Sequence, residues 1–149
     1  IDLGGNIYAL GTKPDKTLWK VGIQNPVDTR GEHIGVISVE NKSVVTSGNY
    51  ERYFTKEGKI YHHIIDPKTG YPSESEVISS TIISDHSIDG DGLSTGVYIM
   101  GLEKSIKLIE SLKGIDAIFI TKNKEVYATS GIKNNFKITN TEFNYKDSL

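Results

Sequence analysis

Asp91-Gly92-Leu93-Ser94-Thr95 sets a carboxylate and a hydroxyl four residues apart, at a point where a helix is expected to begin. Residues four apart share one helical face, so the two oxygens can converge on one point. Two hard oxygens make a poor calcium cage. They suit magnesium, which keeps several waters and takes further oxygens from a phosphate ligand. The same residues also allow a purely structural role, with Asp91 capping the helix and Thr95 packing on it. Asp89 and Asp91 begin an EF-hand-like pattern, but it fails: Leu93 would stand at position five and Met100 at position twelve, where an acid is needed.

His62-His63-Ile64-Ile65-Asp66-Pro67 is the second stretch. Adjacent side chains in a strand face opposite sides, so only one of the two histidines can enter a given cleft. A histidine with an ordinary pKa of ~6.5 is a fit general base for an attacking hydroxyl. The alternative is a pair of surface histidines. Neither His-x-x-x-His nor His-Glu-x-x-His occurs, so no zinc pattern is present. Gly4-Gly5-Asn6 and Thr46-Ser47-Gly48 each end a predicted strand and can offer backbone N–H groups to a phosphate or a flavin ring. Neither is a GxGxxG or a Walker loop, and most such turns are only turns.

The elements that must position these residues follow from the hydrophobic pattern. Residues 6–10 and 17–23 read as strands, joined by a turn over 11–16, and residues 24–32 as a loop. Residues 33–40 and 43–47 are β-branched strands with a tight turn at Asn41-Lys42 between them. Residues 53–58 read as a turn and 59–65 as a strand. Residues 66–72 carry two prolines and a glycine and cannot be regular. A strand follows over 77–84. From Asp91 the apolar residues recur at helical spacing, with Gly101 dividing two helices and Gly114 capping the second. A hairpin spans 115–121 and 125–129, a weak strand 135–138, and the polar tail after Thr139 is expected to fray. Strands dominate and the helices are grouped, which predicts an α+β fold with a mainly antiparallel sheet and a small group of helices packed on it.

Composition bounds the function. The chain has 149 residues, enough for one domain with a real core, and is 36% hydrophobic and 24% charged. Its net charge of −2 argues against nucleic acid as a partner. It has no cysteine, which removes disulfides, thiolate metal sites and a thiol nucleophile. No apolar run approaches the ~20 residues that span a bilayer. The chain opens at Ile1 with neither an initiator Met nor a signal peptide, an opening that suggests further chain upstream.

Taken in order, four segments resemble the ApbE family, the FAD:protein FMN transferases. Asp2-Leu3-Gly4-Gly5-Asn6-Ile7 is similar to the family's GGN turn, and Trp19-Lys20-Val21-Gly22-Ile23-Gln24-Asn25-Pro26 follows it. Val45-Thr46-Ser47-Gly48-Asn49-Tyr50-Glu51-Arg52-Tyr53 is similar to the family's TSGDYERY segment. His63-Ile64-Ile65-Asp66-Pro67-Lys68-Thr69-Gly70-Tyr71-Pro72 resembles HIIDPRTGxP, and Gly90-Asp91-Gly92-Leu93-Ser94-Thr95 resembles the metal motif ADALST. The resemblance covers residues 1–131. It departs at Gly90 and Gly92, where the family carries alanines, and in length, since family members are about twice as long.

The resemblance implies a T-fold-like architecture, of which this chain is the C-terminal half. It implies a transferase that splits the FAD pyrophosphate, with a Ser or Thr hydroxyl of an acceptor protein attacking the FMN-side phosphorus and AMP leaving. It further implies Mg²⁺ on Asp91 and Thr95, His63 as the base, and Gly5, Asn6, Ser47, Gly48, Tyr50, Asp66 and Thr69 around the flavin, the target peptide or the adjoining turn. His62 lies outside the motif, and its replacement is expected to be nearly silent. The alternatives are an FAD hydrolase, a flavin-binding module without catalysis, and a fragment that folds only with its other half. The expected partners are FAD, the acceptor protein, and a companion N-terminal half or a second copy. The expected location is the outer face of the bacterial cytoplasmic membrane, with a lipid anchor upstream.

Overall fold

Strand β7 (Val77–Ser84) is buried along nearly its whole length, and its neighbour β8 (Ile115–Thr121) is buried over its last five residues. A strand covered on both faces is apolar on both faces, and successive residues here enter different cores. Ile82, Ala117 and Phe119 lie in a core with Val97, Tyr98, Leu102 and Ile109 of the helices. Ile83, Ile118 and Ile120 lie in a second core with Val21, Ile23, Ile34 and Ile37. Each fully buried Ile or Phe contributes roughly 1.5–3 kcal/mol. The result is three layers: two helices, a large sheet and a small sheet.

The computed structural model describes residues 1–28 and 31–147. The large sheet comprises β1 (Asn6–Ala9), β4 (Lys42–Gly48), β7, β8, β9 (Glu125–Ala128) and β11 (Asn144–Lys146), in that spatial order. All its pairings are antiparallel except β11 on β9. The small sheet has the order β10 (Phe136–Ile138), β3 (His33–Val39), β2 (Trp19–Gln24). β5 (Tyr53–Lys56) and β6 (Lys59–His62) form a separate hairpin. Helices α1 (Ser87–Met100) and α2 (Leu102–Ser111) cover the large sheet. This is the α+β, mainly antiparallel class expected.

Four local expectations are corrected. The turn at Asn41 is present, with φ +48°, but it does not close a hairpin. It passes the chain from β3 in the small sheet to β4 in the large one, because both strands have residues to bury between the sheets. Residues 53–58 are mostly strand. The turn is only Glu57-Gly58, both at positive φ, the type I′ geometry that suits a two-residue hairpin. The tail is ordered through β11, anchored by Phe143 at 4% exposure.

The fourth correction concerns α1, which begins at Ser87, four residues before Asp91. The first turn holds Asp89, Gly90 and an outward Ile88, 80% exposed, so it shows no apolar period. Tertiary contacts impose it. Ser87 Oγ donates to Asn6 Oδ1 at 2.7 Å, and Gly90 lies directly against β4. Asp91 is therefore not the N-cap; His86 occupies that position, without a side-chain cap bond.

A Cβ on Gly90 would lie 2.6 Å from Val45 Cγ2, whereas one on Gly92 would meet nothing within 4 Å. Gly90→Ala should therefore cost about 1–3 kcal/mol through overpacking. Gly92→Ala should stabilise by up to ~1 kcal/mol through helix propensity. Urea denaturation of the two variants measures this, and equal shifts would refute the close approach of helix to sheet.

Candidate functional site

Helix α1 carries the site on two sides. Asp91 and Thr95 are exposed and stacked one turn apart. Ser94 and Tyr98, likewise one turn apart, are buried against the sheet. Ser47 at the end of β4 joins the two sides. Its hydroxyl donates to Ser94 Oγ at 2.8 Å, and its oxygen lies 3.1 Å from Thr95 Oγ1. A serine has a single hydroxyl proton. With that proton on Ser94, Thr95 is the donor in the second contact, which leaves the Thr95 lone pairs facing outward. Ser80 Oγ completes the seam by donating to the Ser94 carbonyl at 2.8 Å.

Among the described residues, no hydrogen bond or ion pair engages the Asp91 carboxylate, and no group of three or more His, Asp or Glu side chains converges on a point. The donors at α1 are thus one carboxylate and one hydroxyl with its lone pairs free. That set fits a hard, water-keeping cation such as magnesium better than a softer metal.

One turn beyond Thr95, Tyr98 meets the histidine stretch. The His62 ring stands edge-on to Tyr98, with centroids 6.0 Å apart and planes at 79°. Burial pushes the Tyr98 hydroxyl up to about 12, against a hydrogen bond with Asn49 that lowers it. His62 is 8% exposed, so it is not the surface histidine expected. Ile64 N–H donates to its Nδ1 at 3.3 Å, so the ring proton sits on Nε2 and is donated to the Ser73 carbonyl at 3.1 Å.

His63 is exposed, and alternation does send the two rings apart. The Arg52 carbonyl accepts the His63 backbone N–H at 3.2 Å and lies 3.1 Å from its Nδ1. A carbonyl only accepts, so Nδ1 carries a proton, and Nε2 is the nitrogen left facing outward. Arg52 stands in the 45–53 segment, but this role of its carbonyl was not legible there, because a backbone atom leaves no side-chain pattern.

The remaining expected residues divide. The Gly5 carbonyl, at φ +97°, accepts Thr46 N–H at 3.0 Å, and Asn6 anchors the start of α1. Both support the site from behind. Asp66 and Thr69 turn their side chains to the loop itself: Asp66 Oδ1 accepts Lys68 N–H and Thr69 Oγ1 accepts Tyr71 N–H. Gly48 and Tyr50 do not join Ser47. A Cβ on Gly48 would overlap the Tyr50 ring, and Tyr50 Oη reaches Ser79 on the face toward the small sheet. Tyr50 there lines a cleft of about 580 Å³ with Gln24, Pro26, Ile60 and Ile78. Strand alternation over 47–48 could have shown this split.

A family model described as the ApbE family matches residues 1–119. The chain is 42% identical over 151 aligned positions to the FAD:protein FMN transferase of Treponema pallidum (strain Nichols), covering 96% of this chain and 42% of that protein. It is 42% identical over 130 positions to the enzyme of the same description from Klebsiella pneumoniae (strain 342), covering 87% and 39%. Among solved structures, the ApbE protein of Thermotoga maritima superposes with a TM-score of 0.78 at 32% identity, over 89% of this chain and 42% of that one. The flavin transferase ApbE from Vibrio cholerae gives 0.73 at 32%, over 90% and 43%. The chain thus spans about two fifths of the length of the relatives it matches.

The His62 environment predicts a pH dependence. Burial lowers its pKa, the Ser73 carbonyl opposes this, and His63 adds to it. The unfolded chain therefore takes up this proton first. Stability should fall as the pH drops below the ordinary histidine value of ~6.5 toward the lowered folded value. Thermal melts across that range should show a shallower decline for His62→Gln than for wild type. An unchanged slope would refute the buried neutral ring.

Proposed function

The chain belongs to the ApbE family, and from that premise we propose that it carries the metal-binding and base-bearing part of an FAD:protein FMN transferase. The supporting observation is the outward Asp91–Thr95 pair, with the His63 segment braced against the same helix one turn on. Phosphoryl transfer asks a protein to position groups and neutralise charge rather than to supply covalent chemistry, and these residues do both.

In this reading His63 Nε2 accepts the proton of the acceptor Ser or Thr hydroxyl, while Arg52 holds the ring through Nδ1. The hydroxyl oxygen bonds to the FMN-side phosphorus. The bond from that phosphorus to the bridging oxygen breaks, and its electron pair departs on AMP. Flavin mononucleotide remains on the acceptor as a phosphoester. Asp91 and Thr95 would hold magnesium, which on a pyrophosphate neutralises charge as it builds on the leaving phosphate. Ser47 keeps Thr95 in the donor orientation that this requires.

His63 is exposed, so water can reach the same nitrogen. FAD hydrolysis is the competing outcome when no acceptor is bound.

Mass spectrometry of a threonine-bearing acceptor incubated with FAD, magnesium and enzyme tests the proposal. His63→Ala should slow FMN transfer by roughly 10²–10⁴-fold, with a much smaller loss of FAD affinity. Asp91→Ala should abolish magnesium-dependent transfer. Its melting temperature should barely change, because an exposed carboxylate without a partner among the described residues contributes within about ±0.5 kcal/mol. Wild-type transfer by both variants would sink the assignment.

A further inference from the structure

We infer that His62 is a positioning residue for His63: bonded at both ring nitrogens, it locks the backbone from which the proposed base projects. This rests on the reading of His63 as the base.

The geometry is a double clamp on the two peptide units that flank His63. On the inner side, the His62 ring takes Ile64 N–H on Nδ1 and gives Nε2–H to the Ser73 carbonyl. Ser73 N–H in turn donates to the Ile64 carbonyl at 2.9 Å. Ile64 and Ser73 are the two ends of the 64–73 loop, so one buried ring joins both. Within the loop, Ile65 bridges Pro72, and Asp66 N–H donates to the Tyr71 carbonyl at 2.9 Å. On the outer side, the His63 backbone N–H and Nδ1 both address the Arg52 carbonyl. Movement of the Ile64 amide would swing His63 relative to Arg52, and with it the direction of the Nε2 lone pair.

A ring that only filled space would need one apolar pocket. His62 instead sets a particular tautomer, Nε2–H, opposite to the Nδ1–H tautomer of His63. The two neighbouring imidazoles thus address their partners through opposite nitrogens, His62 facing inward as a clamp and His63 outward. Charged groups share its surroundings: Lys59, Asp66 and Glu74 line a pocket with His62, Tyr98 of α1 packs on its ring, and Tyr53 is its cross-strand pair in β5.

The test uses two substitutions and a spectroscopic readout. His62→Phe keeps the ring volume against Tyr98 but removes both hydrogen bonds. His62→Gln keeps an N–H that can reach Ser73. For His62→Phe we expect kcat to fall about 10- to 100-fold, with KM for FAD within about threefold, since a small misplacement of a reacting group costs on that order. His62→Gln should recover most of the loss. Nitrogen-15 spectra of histidine-labelled wild type should show His62 as the Nε2–H tautomer and His63 as the Nδ1–H tautomer. In His62→Phe the His63 signal should move to a tautomer mixture.

Wild-type kcat and an unmixed His63 tautomer in His62→Phe, beside an inactive His63→Ala, would overturn the inference while leaving the base in place. Retained activity in His63→Ala would overturn the base instead, and the tautomer spectra would still decide whether His62 positions its neighbour. If His62→Phe does not fold, a His62→Gln variant with low kcat and a mixed His63 tautomer counts for the clamp; wild-type spectra with both histidines in the same tautomer refute it.

Discussion

The contact on which the site depends is the one between Gly90 and Val45. A helix carrying any side chain at position 90 could not lie as close to β4, since a Cβ there would come within 2.6 Å of Val45 Cγ2. That approach sets the height of α1 above the sheet. Ser94 can then reach Ser47 and Ser80 by direct hydrogen bonds of 2.8 Å, and Tyr98 can receive the His62 ring. The glycine that departs from the family motif is therefore a packing requirement in this chain, and the Asp91–Thr95 spacing is unaffected by it.

The interface between α1 and the sheet is polar where it faces the site and apolar beyond it. Ser43 and Ser84 pair at 2.8 Å and Ser80 bonds the Ser94 carbonyl, while between the two helices Ser105 of α2 bonds the Val97 carbonyl of α1 at 2.6 Å. Buried hydroxyls without partners cost roughly 1–3 kcal/mol each. Here each has one, so the polar seam orients Thr95 without that loss. Farther along, Val97, Leu102 and Ile109 supply the hydrophobic attachment. Orientation and anchoring are thus divided between different residues of the same two helices.

Much of this was legible in residue order. The Asp91–Thr95 pair and the histidine stretch are local patterns, and a four-residue helical offset or a strand alternation carries geometry with it. The hairpin of β5 and β6 was harder to see: β5 is exposed at every residue, so no burial alternation marks it. The start of α1 was hidden for a different reason. Asp89, Gly90 and an outward Ile88 disfavour or disguise a helix, and the turn forms only because Asn6 and Val45, distant in sequence, hold it. The step from β3 to β4 looks like a hairpin until both strands are seen to need the core between two sheets. The clamp at His62 depends on Ser73, eleven residues away across an irregular loop, and no periodicity reports such a contact.

A magnesium ion held by Asp91 and Thr95 as proposed would lie on the outward side of α1, with the Tyr50 cleft on the far side of the large sheet. Replacing magnesium with manganese(II) in the presence of AMP, and following paramagnetic broadening of backbone amide resonances, reads this directly. Broadening should centre on Asp91 and Thr95, extend to Ser47, and spare Tyr50 and Ile78. Broadening centred on the Tyr50 cleft or on residues 66–71, with Asp91 and Thr95 unaffected, would contradict the account.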